Sequence, residues 1–273
     1  MSFCRRHEDL IHKSCLFTKR PWRTRPVFKR RQLRLAVEKC QKITFSKKDL
    51  SYPLKIGDSL LDDYKTVKDL GVFVTSNLKW NYHIQTIVTN ALTKSYQILR
   101  SFSSKNIWIL RKAYLVYVRP LVEYGSVVWN PYLQKDIDLV ERVQRYFTKK
   151  ICLKCNIQFK SYEDRLYKLN LHSLQYRRLE TDLIMVFKII NGLVDLPMNQ
   201  FFHFYKSPYT TRRHKFCLAQ NISKTEIQKG LFANRIVPVW NKLPNYMFTP
   251  NTLSSFTNKL KKLDLCNISN LKF

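Results

Sequence analysis

The chain has 273 residues, 45% of them hydrophobic and 14% aromatic, which is enough apolar material for a folded core. Five glycines are too few for glycine-rich nucleotide loops or an all-β architecture with many turns. The 49 Lys and Arg residues outnumber the 19 Asp and Glu residues, which gives a net charge of +30. A polyanion such as nucleic acid is therefore the expected partner, and a basic solvated surface without a ligand is the alternative.

The first 80 residues divide into two parts. Residues 1–31 are basic and lack apolar periodicity, so we predict a disordered arm. Residues 32–80 contain short β-branched or aromatic runs such as TVKDLGVFVT, separated by turn residues. This pattern predicts a small antiparallel β unit.

Residues 81–196 have a helical apolar period. A stripe from Ile84 to Phe102 predicts a helix of about five turns. A second helix starts near Asn106, and Pro120 should kink or break it because proline lacks a backbone N–H donor. Two more helices are predicted over about 135–151 and 173–191.

Residues 197–273 are less regular. FFHFY (201–205) and TTRRHKFCLAQ (210–220) look like strands, FANRIVPVWNKLP (232–244) like a mixture of strand and turn, and 252–263 like a last helix. The predicted fold is therefore mainly α. It consists of a helical bundle with a small N-terminal antiparallel β unit and an irregular C-terminal segment.

No metal or catalytic site is predicted. Three pairs of acids occur: Asp62 with Asp63, Asp136 with Asp138, and Glu163 with Asp164. We interpret them as solvated loop residues or as residues at helix N-termini and not as metal ligands. Cys152 and Cys155 form a lone CxxC, whereas a structural zinc site needs a second pair. Scattered cysteines, with no signal peptide or transmembrane segment, indicate an intracellular protein, nuclear or cytoplasmic.

Basic residues interleaved with aromatic residues are the better functional candidates, because such sets grip phosphates and stack on bases. Arg142, Arg145, Lys149 and Lys150 should share one side of their helix. Arg119 and Glu123 are four residues apart, so they are interpreted as a pair that orients the bend at Pro120.

Five motifs occur in a specific order, and they lie at residues 68–84 (KDLGVFVTSNLKWNYHI), 117–132 (YVRPLVEYGSVVWNPY), 138–151 (DLVERVQRYFTKKI), 162–193 and 232–244. Together they resemble the C-terminal part of the reverse transcriptase of non-LTR retrotransposons, the jockey-like LINE-type elements. The resemblance spans about residues 32–263.

The resemblance implies roles for particular residues. Lys39 matches the lysine of the last palm motif, although Ala36 stands where that family usually has Asn. Residues 67–72 resemble the primer-grip hairpin, and residues 83–192 resemble the thumb and following helices that cradle the template–primer duplex. The predicted nucleic-acid-binding residues are basic candidates from these regions together with the glycine of the hairpin turn: Lys68, Gly71, Lys79, Arg100, Arg111, Arg145, Lys149 and Arg177.

The catalytic YxDD motif of that family is absent, since the similar LLDD at residues 60–63 lies on the wrong side of the Lys39 motif. The expected function is that of a truncated reverse transcriptase, inactive alone, which retains at most binding to an RNA or DNA template–primer. No cofactor is expected, although the intact family enzyme uses Mg²⁺, and the missing palm and fingers are possible partners. The alternative is a non-enzymatic helical interaction module built on the same scaffold.

Overall fold

The computed structural model describes residues 36, 39–45, 53–56, 59–205, 214, 216–249, 252–265 and 268. It is mainly helical, with 58% helix and 8% strand, and its two small antiparallel sheets lie near the N-terminus. This confirms the predicted fold class. The chain forms two compact units, Met1–His83 and Ile84–Phe273. The predicted arm at residues 1–31 lies outside the described residues.

The first unit contains two hairpins, in which β1 (Lys55–Ile56) pairs with β2 (Ser59–Leu60) and β3 (Thr66–Asp69) pairs with β4 (Val72–Thr75). The β3–β4 turn consists of Leu70 and Gly71, whose φ angles are 44° and 89°. Positive φ at both central residues is the requirement of a type I′ turn, which matches the twist of the two strands. Gly71 adopts this conformation without strain, whereas Leu70 is an unusual residue for it.

His83 is buried at the end of the first unit. The backbone N–H of Phe73 donates a hydrogen bond of 3.3 Å to its Nδ1, so the ring nitrogen that accepts must be unprotonated. The Phe73 ring also contacts Tyr82 edge-on, with 5.2 Å between the ring centroids. Burial lowers the pKa of His83 to about 4.

This shift makes the stability of the first unit depend on pH. The unfolded chain takes up a proton on His83 near its ordinary pKa of about 6.5, whereas the folded chain does so only near pH 4. Stability from His83 is therefore complete above pH 6.5 and is lost as the pH falls toward 4, with a loss of about 2 kcal/mol expected. An NMR titration of the imidazole and urea unfolding at pH 7 and pH 4.5 measure the two quantities.

Carboxylates also titrate between pH 4 and 6.5, so the effect of His83 must be measured by comparing the pH dependence of stability between variants. We expect His83→Gln to show a smaller pH dependence than the wild type, and His203→Gln, at an exposed histidine, to show the same dependence as the wild type. An imidazole pKa above 6 for His83 contradicts the expectation.

The second unit is built from helices. In chain order they are α1 (Asn81–Ser101, which begins in the first unit), α2 (Ile107–Ala113), α3 (Arg119–Glu123), α4 (Ser126–Trp129), α5 (Gln134–Lys154), α6 (Tyr162–Lys168), α7 (Leu174–Ile190), α8 (Met198–Phe201), α9 (Glu226–Gly230), α10 (Phe232–Trp240) and α11 (Leu253–Lys262). The predicted long helices at 135–151 and 173–191 correspond to α5 and α7. None of the helices in the described part of the chain is long and apolar enough to cross a membrane.

A π-helical turn, Tyr114–Val118, joins α2 to α3. At its end the Arg119 N–H donates to the Tyr114 carbonyl, five residues back. Pro120 follows, and a proline ring clashes with the carbonyl four residues earlier in a regular helix. The wider turn is one way to relieve that clash, so the helix is widened at the position where a kink or break was predicted.

Helix α7 packs against α4, α5, α10 and α11, so it lies at the centre of the second unit. Elsewhere in this unit, Tyr114 packs on Phe147 of α5, with 5.1 Å between the ring centroids. Phe187 of α7 stacks on Phe256 of α11, with 4.5 Å between the ring centroids, and Trp240 is also buried there. The C-terminal helices thus complete the core of this unit.

Two predictions for the C-terminal segment need correction. Residues 232–240 form helix α10 with Pro238 inside it, and are not a mixture of strand and turn. The β-branched residues and the proline suggested a strand, but Ile236, Val237 and Trp240 lie on one helical face that is buried in the core. The predicted strands at 201–205 and 210–220 meet only in an isolated antiparallel bridge, Phe204 to Leu218, among the residues described; 206–213 and 215 lie outside them.

Candidate nucleic-acid interface

Helix α5 carries a row of cations on its exposed face. We define the α5 ridge as Arg142, Arg145, Tyr146, Lys149 and Lys150, whose spacing of three and four residues places them on one side of the helix. The four cations are exposed, and none forms a salt bridge with any residue that the structure describes. The ridge thus presents four positive charges without a salt bridge among these residues. The pKa of the nearby Glu163 carboxyl is lowered first by that group's own hydrogen bonds and then by the Arg145 charge.

Aromatic rings lie next to these cations. The Arg145 guanidinium is 5.2 Å from the centroid of the Tyr162 ring, and the Lys150 ammonium is 5.9 Å from that of Tyr146. Cation–π contacts hold a long side chain against a surface while leaving its donors accessible. The arrangement suits binding of phosphates, with donors spaced along about two turns of helix.

The buried face of α5 is anchored by a polar network. The Glu141 carboxylate accepts hydrogen bonds from the Leu174 N–H at 3.0 and 3.2 Å and from the Tyr162 hydroxyl. Gln144 accepts from the Tyr114 hydroxyl at 2.7 Å and donates to the His172 carbonyl at 2.9 Å. Burial, together with the Glu141 charge, raises the pKa of Tyr162, so its hydroxyl remains a donor. The network fixes α5 against the start of α7.

Two of the predicted binding residues of this unit are engaged in internal contacts. Arg111 donates from Nε to the Leu169 carbonyl at 2.5 Å and from Nη2 to the Asn170 carbonyl at 3.0 Å, at the C-terminal end of α6. Arg177 binds both carboxylate oxygens of Glu123. Their placement favours a structural role for both, because ligand binding must compete with these bonds.

The predicted pair of Arg119 and Glu123 is present at 3.5 Å, and the bond from Arg177 to the same carboxylate is the stronger contact. This contact is not visible in the sequence, because Arg177 and Glu123 are 54 residues apart. The helix-spaced pair is visible in a sequence, whereas a partner on another helix leaves no local signal.

The other predicted residues are distributed over both units. In the first unit, Lys68 lies over the Phe73 ring at 5.3 Å, Gly71 forms the hairpin turn, and exposed Lys79 follows β4. Lys39 is exposed, and its N–H donates to the Ala36 carbonyl at 3.1 Å. In the second unit, Arg100 lies exposed at the end of α1. The α5 ridge is the set of predicted cations that the structure brings together on one element.

Asp63, an acid of the LLDD sequence, is held by contacts within the first unit. Asp63 accepts a hydrogen bond from Thr44 at 2.7 Å and lies 3.2 Å from Lys42. Burial alone would raise the pKa of Asp63, but these two contacts outweigh it and lower the pKa. Within the described residues there is no group of three His, Cys, Asp or Glu side chains that could hold a metal ion.

Cys152 and Cys155 are free thiols. Burial raises the pKa of both, so neither is activated as a thiolate.

Comparison with known proteins finds a relative in Caenorhabditis elegans. The uncharacterized protein B0403.1 is 34% identical to this chain over 134 residues, which cover 49% of the chain and 68% of the relative. No family model matches the chain. No solved structure matches it either. An identity of this size over two thirds of the relative shows common descent, and the chain therefore belongs to the same protein family as B0403.1 of C. elegans.

Proposed function

We propose that this protein is a nucleic-acid-binding segment of a non-LTR retrotransposon reverse transcriptase, and that these 273 residues do not polymerise DNA by themselves. The observation that carries the proposal is the α5 ridge, with four exposed cations that have no salt-bridge partner among the described residues. Five motifs in the family's order support it from the sequence. The proposal also places the protein inside the cell, in the nucleus or cytoplasm, consistent with its free thiols.

The chemistry of the ridge indicates that it contacts the sugar–phosphate backbone of the ligand. Arginine and lysine donors bind phosphate oxygens in any base sequence, so binding should be largely independent of sequence. A template–primer duplex presents two such backbones. The ligand is therefore an RNA–DNA or DNA duplex, bound in a salt-dependent manner.

The test removes the four charges of the ridge. We expect the Gln substitution of Arg142, Arg145, Lys149 and Lys150 to weaken binding to a labelled 20-base-pair RNA–DNA duplex by about tenfold or more at 100 mM salt. The slope of log Kd against log salt should fall by about 3.6, because each of the four lost phosphate contacts removes about 0.9 from it. Fluorescence anisotropy over a range of salt concentrations measures both quantities.

A matched control removes the same number of charges elsewhere. Lys224, Lys229, Lys261 and Lys262 are exposed lysines of the C-terminal part, and their Gln substitution should change the slope by less than the ridge variant does. Equal effects of the two variants mean that only net charge matters and refute the ridge as a site.

The wild-type protein also separates the proposal from a non-enzymatic interaction module. Such a module predicts no binding to duplex at low salt, whereas our proposal requires it. The proposal further requires that no nucleotide is incorporated with Mg²⁺ and a primer–template, because the YxDD carboxylates that hold the two metal ions are absent from this sequence.

A further inference from the structure

An exposed stripe of aromatic and aliphatic side chains runs along α2, the π-helical turn and α3. We define the aromatic stripe as Trp108, Ile109, Val116, Tyr117, Leu121 and Tyr124, all of which are exposed. Trp108, Tyr117 and Tyr124 are 59%, 56% and 62% accessible. Three aromatic rings with this much exposed area on one short segment are unusual on a solvent-exposed surface and indicate an interaction site.

The π-helical turn is what lines these residues up. The buried side of the segment is Leu110, Tyr114, Val118 and Val122, each fully buried and spaced by four residues. A regular helix has 3.6 residues per turn, so a four-residue period drifts around its axis. The wider π turn takes up this drift, so Val116 stays on the side opposite the core together with Trp108, and exposed Tyr124 follows directly after α3.

The charge around the stripe fits a polyanion. The Arg111 guanidinium is 5.7 Å from the centroid of the Trp108 ring, and Lys112 on the same helix is exposed. The one acid in residues 103–133 is Glu123, whose carboxylate is neutralised by Arg177 and Arg119. A second copy of the chain is a poor occupant, because two molecules of charge +30 repel each other.

The exposed ring faces of the stripe favour a single strand over a duplex. Bases within a duplex stack on each other about 3.4 Å apart, so their faces are not available to protein side chains. The bases of an extended single strand are available, and aromatic side chains bind them by stacking without regard to sequence.

We propose that the aromatic stripe binds single-stranded nucleic acid, with bases stacked on Trp108, Tyr117 and Tyr124 and a phosphate held by Lys112. The inference rests on the proposed function and deepens it, because it adds a single-strand site to the duplex-binding α5 ridge. The two sites contribute to different ligands and can fail separately.

The test uses the full chain with a labelled 20-nucleotide poly(U) or poly(dT) strand and with the RNA–DNA duplex. The triple variant Trp108→Ala, Tyr117→Ala, Tyr124→Ala should bind the single strand at least about tenfold more weakly. Its salt slope for the single strand should stay that of the wild type, because no charge is removed. Its affinity for the duplex should change by less than a factor of about three.

Two further variants make the result specific. Ala substitution of Tyr96, Tyr167 and Tyr246 removes three exposed tyrosines outside the stripe and should leave single-strand affinity unchanged. Phe at the three stripe positions keeps the ring faces and should restore binding, even if the Ala variant proves less stable.

Three results overturn the inference. They are wild-type single-strand affinity in the Ala triple variant, loss of binding in the Phe variant, and self-association of the wild type that the Ala variant abolishes. If the wild type binds duplex and the Ala triple variant keeps wild-type affinity for the single strand, the single-strand site is refuted and the proposed function stands. If the wild type binds neither ligand at low salt, both fail.

Discussion

Asp182→Ala is expected to lower the free energy of unfolding by about 3–5 kcal/mol, the typical cost of removing one partner from a buried ion pair. Asp182 is 1% accessible, and its carboxylate lies at the centre of the second unit, on α7. Arg235 of α10 donates to both of its oxygens, at 2.9 and 3.0 Å. Without Asp182 the Arg235 guanidinium has no salt-bridge partner among the residues that the structure describes.

The cost extends to a second buried cation. Asn130 donates to Asp182 at 3.0 Å and accepts from Arg178 at 3.1 Å, so the carboxylate also orients the partner of Arg178. Arg178 is 1% accessible, and burial lowers its pKa to about 10. Since Arg235 also donates to the Val127 carbonyl at 2.7 Å, the pair connects α4, α7 and α10.

Chemical denaturation followed by far-UV circular dichroism measures the effect. Asp195→Ala is the matched control, because Asp195 is exposed in the loop after α7 and should cost less than about 0.5 kcal/mol. The double variant Asp182→Ala, Arg235→Ala should be less destabilised than the sum of the two single variants, since it leaves no unpaired charge at that pair. Additive losses, or a loss below 1 kcal/mol for Asp182→Ala, contradict the assigned role.

The elements that are predicted well from this sequence are those in which buried apolar residues repeat at a regular spacing. Helix α5 was predicted over 135–151 and spans Gln134–Lys154, because its apolar positions repeat at helical spacing over five turns. The small antiparallel β unit was predicted because β-branched and aromatic runs are bounded by turn residues, whereas the hairpin turn at Gly71 was implied only by the family resemblance. The same helical spacing predicted that Arg142, Arg145 and Lys149 share one side of α5.

The parts that were missed depend on contacts between distant residues or on local departures from regular geometry. Arg177 looked like a free cation, and only the fold brings it to Glu123. Helix α10 was missed because Pro238 and its β-branched neighbours favour a strand locally, whereas burial against α7 decides the outcome. Pro120 predicted a kink or break, but the sequence carries no sign that one π turn would continue the exposed face.

Glu141→Ala is the other substitution with a large expected effect, a loss of about 3 kcal/mol of unfolding free energy. Glu141 is 4% accessible, and its two oxygens accept from the Leu174 N–H and the Tyr162 hydroxyl. Removing the carboxylate leaves both donors buried without that acceptor, at about 1–3 kcal/mol each. Glu141→Gln keeps one acceptor oxygen and the shape of the side chain, so it should cost about half as much or less.

A double-mutant cycle tests whether the network acts as a unit. Tyr162→Phe alone should cost about 1 kcal/mol, because Glu141 keeps the Leu174 N–H. Combined with Glu141→Ala it should cost less than the sum, since the hydroxyl that Glu141→Ala leaves unsatisfied is then absent. Asp138→Ala, at an exposed position of the same helix, is the control for a lost charge on α5.

The same variants distinguish anchoring of the α5 ridge from direct binding. Glu141 and Tyr162 hold α5 to the start of α7, and the ridge cations lie on the outer face of that helix. Under conditions in which Glu141→Gln is fully folded, its affinity for duplex and its salt slope should equal those of the wild type, because no ridge cation is lost. A reduced slope in Glu141→Gln means that the network carries phosphate contacts itself, and contradicts a purely anchoring role.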